Sequence, residues 1–341
     1  MNRLRICQQT ASGSRGVDRP GASTYHRCVS SGERSALLCD AAGTARALVV
    51  TLRPKQWMKN LIIFFALLFT VGEAWSPARV GEATPLVVDT VFAFLLFCVL
   101  SGAAYLLNDV ADAERDRAHP AKRWRPVASG RLSQQVALAT SGALIAVAVS
   151  LSFLLETSFG WVALSYAALM VAYSAALKKV VLVDVFAIAA GFVLRAVAGA
   201  AVLGVPISPW LYICTGLGAL VIALGKRRSE LVTAGDGAGQ QRDSLRGYSV
   251  RLIDQLTYLV VPGTLTAYIL YALTADNLPD NYAMAITVPF VVYGLMRYLY
   301  LVNVRGLGES PEDLLVSDAH LVATVVLWLV ASSLVLALFR A

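Results

Sequence analysis

Asn108, Asp109, Asp112 and Asp116 gather oxygen-bearing side chains directly behind the apolar run "LVVDTVFAFLLFCVLSGAAYLL" (86–107). On a helix, Asn108, Asp112 and Asp116 follow one another at i, i+4 and i+8. That spacing predicts one shared face, rising about 6 Å per step, with Asp109 one position round. Like charges at this spacing repel, and at a membrane boundary desolvation adds to the cost, so something must compensate. A hard-oxygen set with no His or Cys suits Mg²⁺ bridging to a phosphate-bearing substrate. Lys122, Arg123 and Arg125 follow closely. Metal ligands and then phosphate-binding cations form a diphosphate site in sequence order. His119, before Pro120, reads equally as a phosphate contact or a turn residue.

The elements that position this cluster must be membrane helices. Of the 341 residues, 57% are hydrophobic and 15% charged, with mean hydropathy +0.64. A soluble domain is about 45–50% apolar and about 25% charged. Several runs reach the roughly 20 apolar residues that cross a bilayer, and none alternates as barrel strands do. The runs predict nine spans, at about 58–76, 86–107, 134–155, 159–177, 180–203, 207–225, 253–274, 282–303 and 320–340. The architecture expected is an all-α integral membrane protein of nine transmembrane helices.

Charge sets the orientation. Connections after even-numbered spans carry the Lys and Arg, whereas those after odd-numbered spans carry only Arg79. The positive-inside rule then puts the N-terminus and both long polar connections, about 108–133 and 226–252, in the cytoplasm. The net charge of +7 reflects this loop bias, and no nucleic-acid motif accompanies it. Residues 1–50, rich in Ser, Gly, Ala and Arg, read as a disordered cytoplasmic tail before a catalytic domain at 51–341. Cys7, Cys28, Cys39, Cys98 and Cys214 form no CxxC pair and read as reduced or lipid-buried thiols.

Asn108-Asp109-x-x-Asp112-x-x-x-Asp116 resembles the first Asp-rich motif of the UbiA-type membrane prenyltransferase superfamily. The resemblance covers about residues 50–340 and implies nine helices around a central cavity. Aromatic prenyltransferases of this superfamily carry a second carboxylate pair on a later span. Here "YSAALKKVVLVDVFAIAAGFVLRAVAGA" offers Asp184, but the position four later is Ile188. "RPKQWMKN" (53–60), "HPAKRWRPVASG" (119–130), "GKRRSEL" (225–231), "SLRGYS" (244–249) and "GESPEDLL" (308–315) instead resemble the polyprenyl-phosphate phosphoribosyltransferase branch.

That resemblance implies transfer of 5-phosphoribosyl from 5-phosphoribosyl 1-diphosphate to a polyprenyl phosphate such as decaprenyl phosphate, for arabinan precursors of the cell envelope. It implies a plasma-membrane enzyme with a cytoplasmic active site and is compatible with a homo-oligomer. Asn108, Asp109, Asp112 and Asp116 then hold Mg²⁺ on the donor diphosphate, and Lys122, Arg123 and Arg125 neutralise its remaining charge. Lys226, Arg227 and Arg228 are candidates for the 5-phosphate, with Glu230 pairing one of them or binding ribose hydroxyls. Lys59 is a candidate for the lipid phosphate. Tyr173 and Lys178 resemble the family's Tyr-x-x-x-x-Lys element, with Lys178 a phosphate contact. Asp184 and Arg195, ionisable groups inside one span, face either a cavity or partner helices; Asp184 is expected in the cavity wall. Two other readings are an aromatic prenyltransferase, opposed by Ile188, and an anion transporter, which has no use for the acidic cluster.

Overall fold

The computed structural model describes residues 43–75, 80–206, 208–234, 243–308 and 310–340. Cys7, Cys28, Cys39 and residues 1–42 of the expected tail lie outside them. The chain divides into units 1–46 and 47–341. Of the first, only residues 43–46 are described, and they open helix α1, Gly43–Leu52.

The helices that follow are α2 (Phe64–Phe69), α3 (Val80–Ala111), α4 (Ala113–Ala118), α5 (Gln134–Leu155), α6 (Thr157–Ala175), α7 (Val183–Val202), α8 (Pro209–Ala234), α9 (Val250–Thr274), α10 (Val288–Asn303), α11 (Pro311–Ser317) and α12 (Ala319–Phe339). A 3-10 segment, Pro54–Ile63, precedes α2. Among the described residues there is no strand beyond one isolated bridge, Val71 with Trp75. Large apolar side chains such as Leu154, Trp161 and Leu338 face outward, 81%, 61% and 66% exposed. An apolar exterior of this kind belongs in lipid.

Eight helical stretches among the described residues are long and apolar enough to cross a membrane, and they coincide with the second to ninth expected spans. The first expected span, 58–76, differs. It is not a continuous helix but the 3-10 segment, then six residues of α2, then a turn through Gly72 at φ 81°. Two local features cause this. Pro54 opens the segment, with Arg53 before it in the left-handed region at φ 52° and ψ 64°. Gly199 of α7 also lies so close that a Cβ on it would stand 2.1 Å from the Ile63 carbonyl oxygen. Only glycine lets these backbones meet.

The bundle is held by ordinary packing. Phe97 of α3 meets Phe159 and Tyr166 of α6 at ring distances of 5.7 and 5.1 Å. Arg195 of α7 lies within a net of neutral groups. Its Nε donates to Asn60 Oδ1 at 2.7 Å, its Nη1 to the Gly191 carbonyl at 2.9 Å and its Nη2 to Tyr166 Oη at 2.6 Å. Asn60 in turn donates to Ser101 Oγ at 3.2 Å and Cys98 Sγ at 3.3 Å. The irregular first segment is thereby tied to α3, α6 and α7.

Candidate functional site

The acids sit where α3 ends. Asp112 interrupts the helix at φ −101° and ψ 3°, and α4 begins immediately after. The backbone bonds Asp112 N to Asn108 O (3.0 Å) and Asp116 N to Asp112 O (2.8 Å) carry the helical register across the break. The loop behind α4 folds back on it, with Arg117 Nε donating to the Ala128 carbonyl and Leu132 N to the Pro126 carbonyl. His119 serves this turn: its Nδ1 accepts from the amides of Ala121 and Lys122.

The expected single face of Asn108, Asp112 and Asp116 is corrected by the structure. Asn108 and Asp112 share one cation, and Asp116 shares another with Asp109. At about 100° per residue, Asp116 lies about 20° from Asp109 but about 80° from Asn108. Lys178 Nζ donates to Asn108 Oδ1 at 3.0 Å and to Asp112 Oδ1 at 2.7 Å. Arg125 Nη1 lies 3.3 Å from Asp109 Oδ1 and 2.7 Å from Asp116 Oδ2. Arg53 Nη2 reaches the same Asp109 oxygen at 2.5 Å, and its guanidinium lies over the Tyr105 ring. Three carboxylates thus meet three cations, and the formal charges cancel.

This neutrality bears on the expected Mg²⁺. Among the described residues, no three acidic, His or Cys side chains stand together as a metal site. Arg125 bridges Asp109 and Asp116, and Lys178 bridges Asn108 and Asp112. The donor chemistry still fits: the oxygens are hard, and Asp112 is one-fifth exposed. Lys178 and Arg125 are also the groups a phosphate would draw off the acids.

A second cluster lies at the head of α7. Asp184 is fully buried, not in an open cavity wall. It accepts from Arg227 Nε at 2.9 Å, Ser244 Oγ at 3.1 Å and Tyr248 Oη at 2.7 Å. Tyr248 Oη also accepts from the Leu182 amide at 2.8 Å. Burial and the bond to Asp184 push the Tyr248 phenol above its ordinary range. Arg227 pairs in addition with Glu230, and Tyr173 stands within electrostatic reach of it. Asp184 therefore anchors the short 3-10 turn Asp243–Gly247 and aims Arg227, whereas Asp184 and Arg195 serve different networks.

The other expected residues divide. Arg228 turns away from Arg227 and meets Asp254 of α9 at 2.8 Å, beside a separate groove of about 330 Å³. Arg123 is exposed, its guanidinium over Trp124. Lys122 and Lys226 are partly buried, and Lys59 lies on the 3-10 segment one residue before Asn60. Residues the sequence reading did not assign are Arg53, Ser244 and Tyr248. All three lie in stretches singled out above, "RPKQWMKN" and "SLRGYS", and that was the signal available for them.

Comparisons with known proteins bear on the family and the fold. The pattern of the UbiA prenyltransferase family matches residues 61–311. A decaprenyl-phosphate phosphoribosyltransferase of Mycolicibacterium smegmatis is 30% identical over 83% of this chain and 90% of its own length. A decaprenyl-phosphate phosphoribosyltransferase of Corynebacterium glutamicum is 31% identical over 83% of this chain and 85% of its own. Among solved structures, a UbiA homolog from Archaeoglobus fulgidus bound to GPP and Mg²⁺ superposes with a TM-score of 0.65 at 17% identity, covering 86% of this chain and all of that one. The chain belongs to the UbiA prenyltransferase family.

Proposed function

We propose that the protein transfers a 5-phosphoribosyl group from 5-phosphoribosyl 1-diphosphate to a polyprenyl phosphate, releasing diphosphate. The observation that carries this reading is the match, along most of the chain, to relatives named decaprenyl-phosphate phosphoribosyltransferase. The arrangement at the end of α3 supports it. A donor with phosphates at two places needs cations at two places, and the two clusters supply Lys178 and Arg227.

In the proposed reaction, Lys178 leaves Asp112 for a diphosphate oxygen. Asn108, Asp109, Asp112 and Asp116 would hold Mg²⁺, which would neutralise charge on the leaving diphosphate. Lys226 and Arg227, steadied by Asp184 and Glu230, bind the 5-phosphate, and Tyr173 completes that wall. An oxygen of the lipid phosphate attacks the anomeric carbon from the face opposite the diphosphate. The carbon–oxygen bond to diphosphate breaks as the new one forms. The acceptor phosphate is already ionised near neutral pH, so no general base has to take a proton.

We place the reaction at the cytoplasmic surface of the plasma membrane, with the product serving cell-envelope arabinan precursors. The interrupted first segment makes a ninth crossing. Ten 3-10 residues at about 2.0 Å and six helical residues at about 1.5 Å reach about 29 Å, the thickness of a hydrocarbon core. The test is an assay in detergent with Mg²⁺, decaprenyl phosphate and radiolabelled phosphoribosyl diphosphate, following label into the organic phase. Transfer that stops with EDTA is the expected result. A protein that moves no label but consumes a prenyl diphosphate with an aromatic acceptor overturns the reading.

A further inference from the structure

Arg53 is an unusual residue to find at a helix end. It occupies the left-handed region without being glycine, and it precedes a proline. A backbone held there is strained and persists only where its surroundings impose it. The result of the strain is specific: the chain leaves α1 in a direction that swings the guanidinium onto Asp109. Asp109 is 2% exposed, while the side chains of Arg53 and Arg125 are 27% and 26% exposed. Two cations thus converge on one oxygen of one buried acid, and both keep a face toward solvent.

Arg53 gives one N–H to Asp109, and Arg125 gives a shared Nη1 to Asp109 and Asp116. A guanidinium has five N–H groups. Among the described residues the other N–H groups of both side chains have no hydrogen-bond partner. They border an open cleft of about 310 Å³. Its remaining walls are largely apolar and include Val50, Trp124 and Pro126. Trp124 is 65% exposed, and Val49 and Val50, at the end of the apolar α1, are each more than half exposed. The cleft therefore pairs a fork of guanidinium donors with a hydrocarbon surface leading out along α1.

We infer that this cleft seats the phosphate of a long-chain isoprenoid phosphate, held between Arg53 and Arg125 with the first units of its chain against Val50 and Trp124. The inference rests on the reaction proposed above and identifies its acceptor subsite. The chemistry of the walls decides which substrate enters. A phosphoribosyl donor has no hydrocarbon to cover Val50 and Trp124; an isoprenoid phosphate has both parts. Planar guanidinium forks suit a terminal phosphate that offers three oxygens. Both guanidiniums donate to the same Asp109 oxygen, and Arg125 also reaches Asp116. Asp112 and Lys178 lie one helical turn from Asp109, so acceptor and donor phosphates meet across the end of α3.

The test measures binding of farnesyl phosphate, farnesol and inorganic phosphate to the full chain in detergent, by tryptophan fluorescence without metal or donor. Arg53→Met keeps the length of the side chain and removes its charge; Val50→Glu places an anion in the exposed wall. The melting temperature of each variant establishes that it is folded. Farnesyl phosphate should bind at least ten-fold more tightly than farnesol or inorganic phosphate, and each variant should weaken it at least ten-fold. Affinity for phosphoribosyl diphosphate should change less than two-fold. Inorganic phosphate binding as tightly as farnesyl phosphate, or variants that lose the donor instead, overturns the assignment. Binding through Arg53 in a protein that transfers no phosphoribosyl group refutes the reaction and leaves the cleft standing. Normal transfer with an unchanged lipid KM in Arg53→Met refutes the cleft and leaves the reaction standing.

Discussion

Replacing Asp184 by Asn should loosen the second polar connection without unfolding the bundle. Asp184 is wholly buried and receives three donors, two on Oδ2 and one on Oδ1. Asparagine keeps the shape and one acceptor oxygen, but it loses the charge opposite Arg227 and turns an N–H₂ toward Tyr248. Breaking a buried ion pair by removing one partner costs about 3–5 kcal/mol. Arg227 keeps Glu230, which places the expected cost near the lower end, about 3 kcal/mol. At about 1.4 kcal/mol per factor of ten, the turn Asp243–Gly247 should open on the order of 10²-fold more often. Two amides report it: Leu182 N, which donates to Tyr248 Oη, and Tyr248 N, which donates to the Leu245 carbonyl. Hydrogen exchange followed by mass spectrometry should show peptides over 180–184 and 244–249 exchanging on the order of 10²-fold faster, while α5 is unchanged. Unchanged exchange in both peptides would falsify the view that Asp184 anchors this connection.

Lys178→Met should leave a folded protein in which KM for phosphoribosyl diphosphate rises about 10–100-fold, the value of one charge-assisted contact. A rise confined to the lipid KM would contradict the assignment of Lys178 to the donor. Gly199→Ala should be disruptive, because the new Cβ would stand 2.1 Å from the Ile63 oxygen and 2.9 Å from its carbon, and neither backbone is free to yield. Overpacking of this kind costs about 1–3 kcal/mol, read as a lower melting temperature in detergent; a wild-type melting temperature would refute the close approach of α7 to the first segment. Tyr248 predicts a pH dependence. Its folded pKa is raised, so its contribution is complete below the ordinary tyrosine value of about 10 and is lost as pH rises above that. The gap in melting temperature between wild type and Tyr248→Phe should narrow between pH 9 and 11, and a constant gap would refute the buried neutral phenol.

The fold was legible where composition alone decides. Eight expected spans were found because unbroken apolar runs end at charged connections, and α5 falls on its expected bounds of 134–155. The broken backbone of the first expected span was not legible, for a reason composition cannot carry. Hydropathy detects "LIIFFALLF" but does not report that Pro54, the left-handed Arg53 and Gly199 across the interface hold the backbone out of an α-helix. The compensation of the acidic cluster was legible because carboxylates at a membrane boundary demand it. Their partners were not. Arg53 lies 56 residues from Asp109, and Lys178 lies 66 from Asp112, so only the folded bundle reveals the pairing. The grouping of Asp116 with Asp109 was within reach of the sequence, since seven residues close two helical turns more nearly than eight do.

The hydrogen bond between Arg195 and Asn60 constrains how the protein is made. A segment with only a short apolar run, flanked by Lys55 and Lys59, is a poor substrate for membrane insertion on its own. An arginine near the middle of α7 costs about 2.5–3.5 kcal/mol when that helix inserts alone. Each remedies the other, because Asn60 and the Gly191 carbonyl receive the guanidinium while α7 receives the irregular backbone. Asn60 must nevertheless wait for a residue 135 positions later in synthesis. The part of the chain that carries Arg53 should therefore reach its final depth only after α7 has been made, which would make the full set of cations at the end of α3 a late event of assembly.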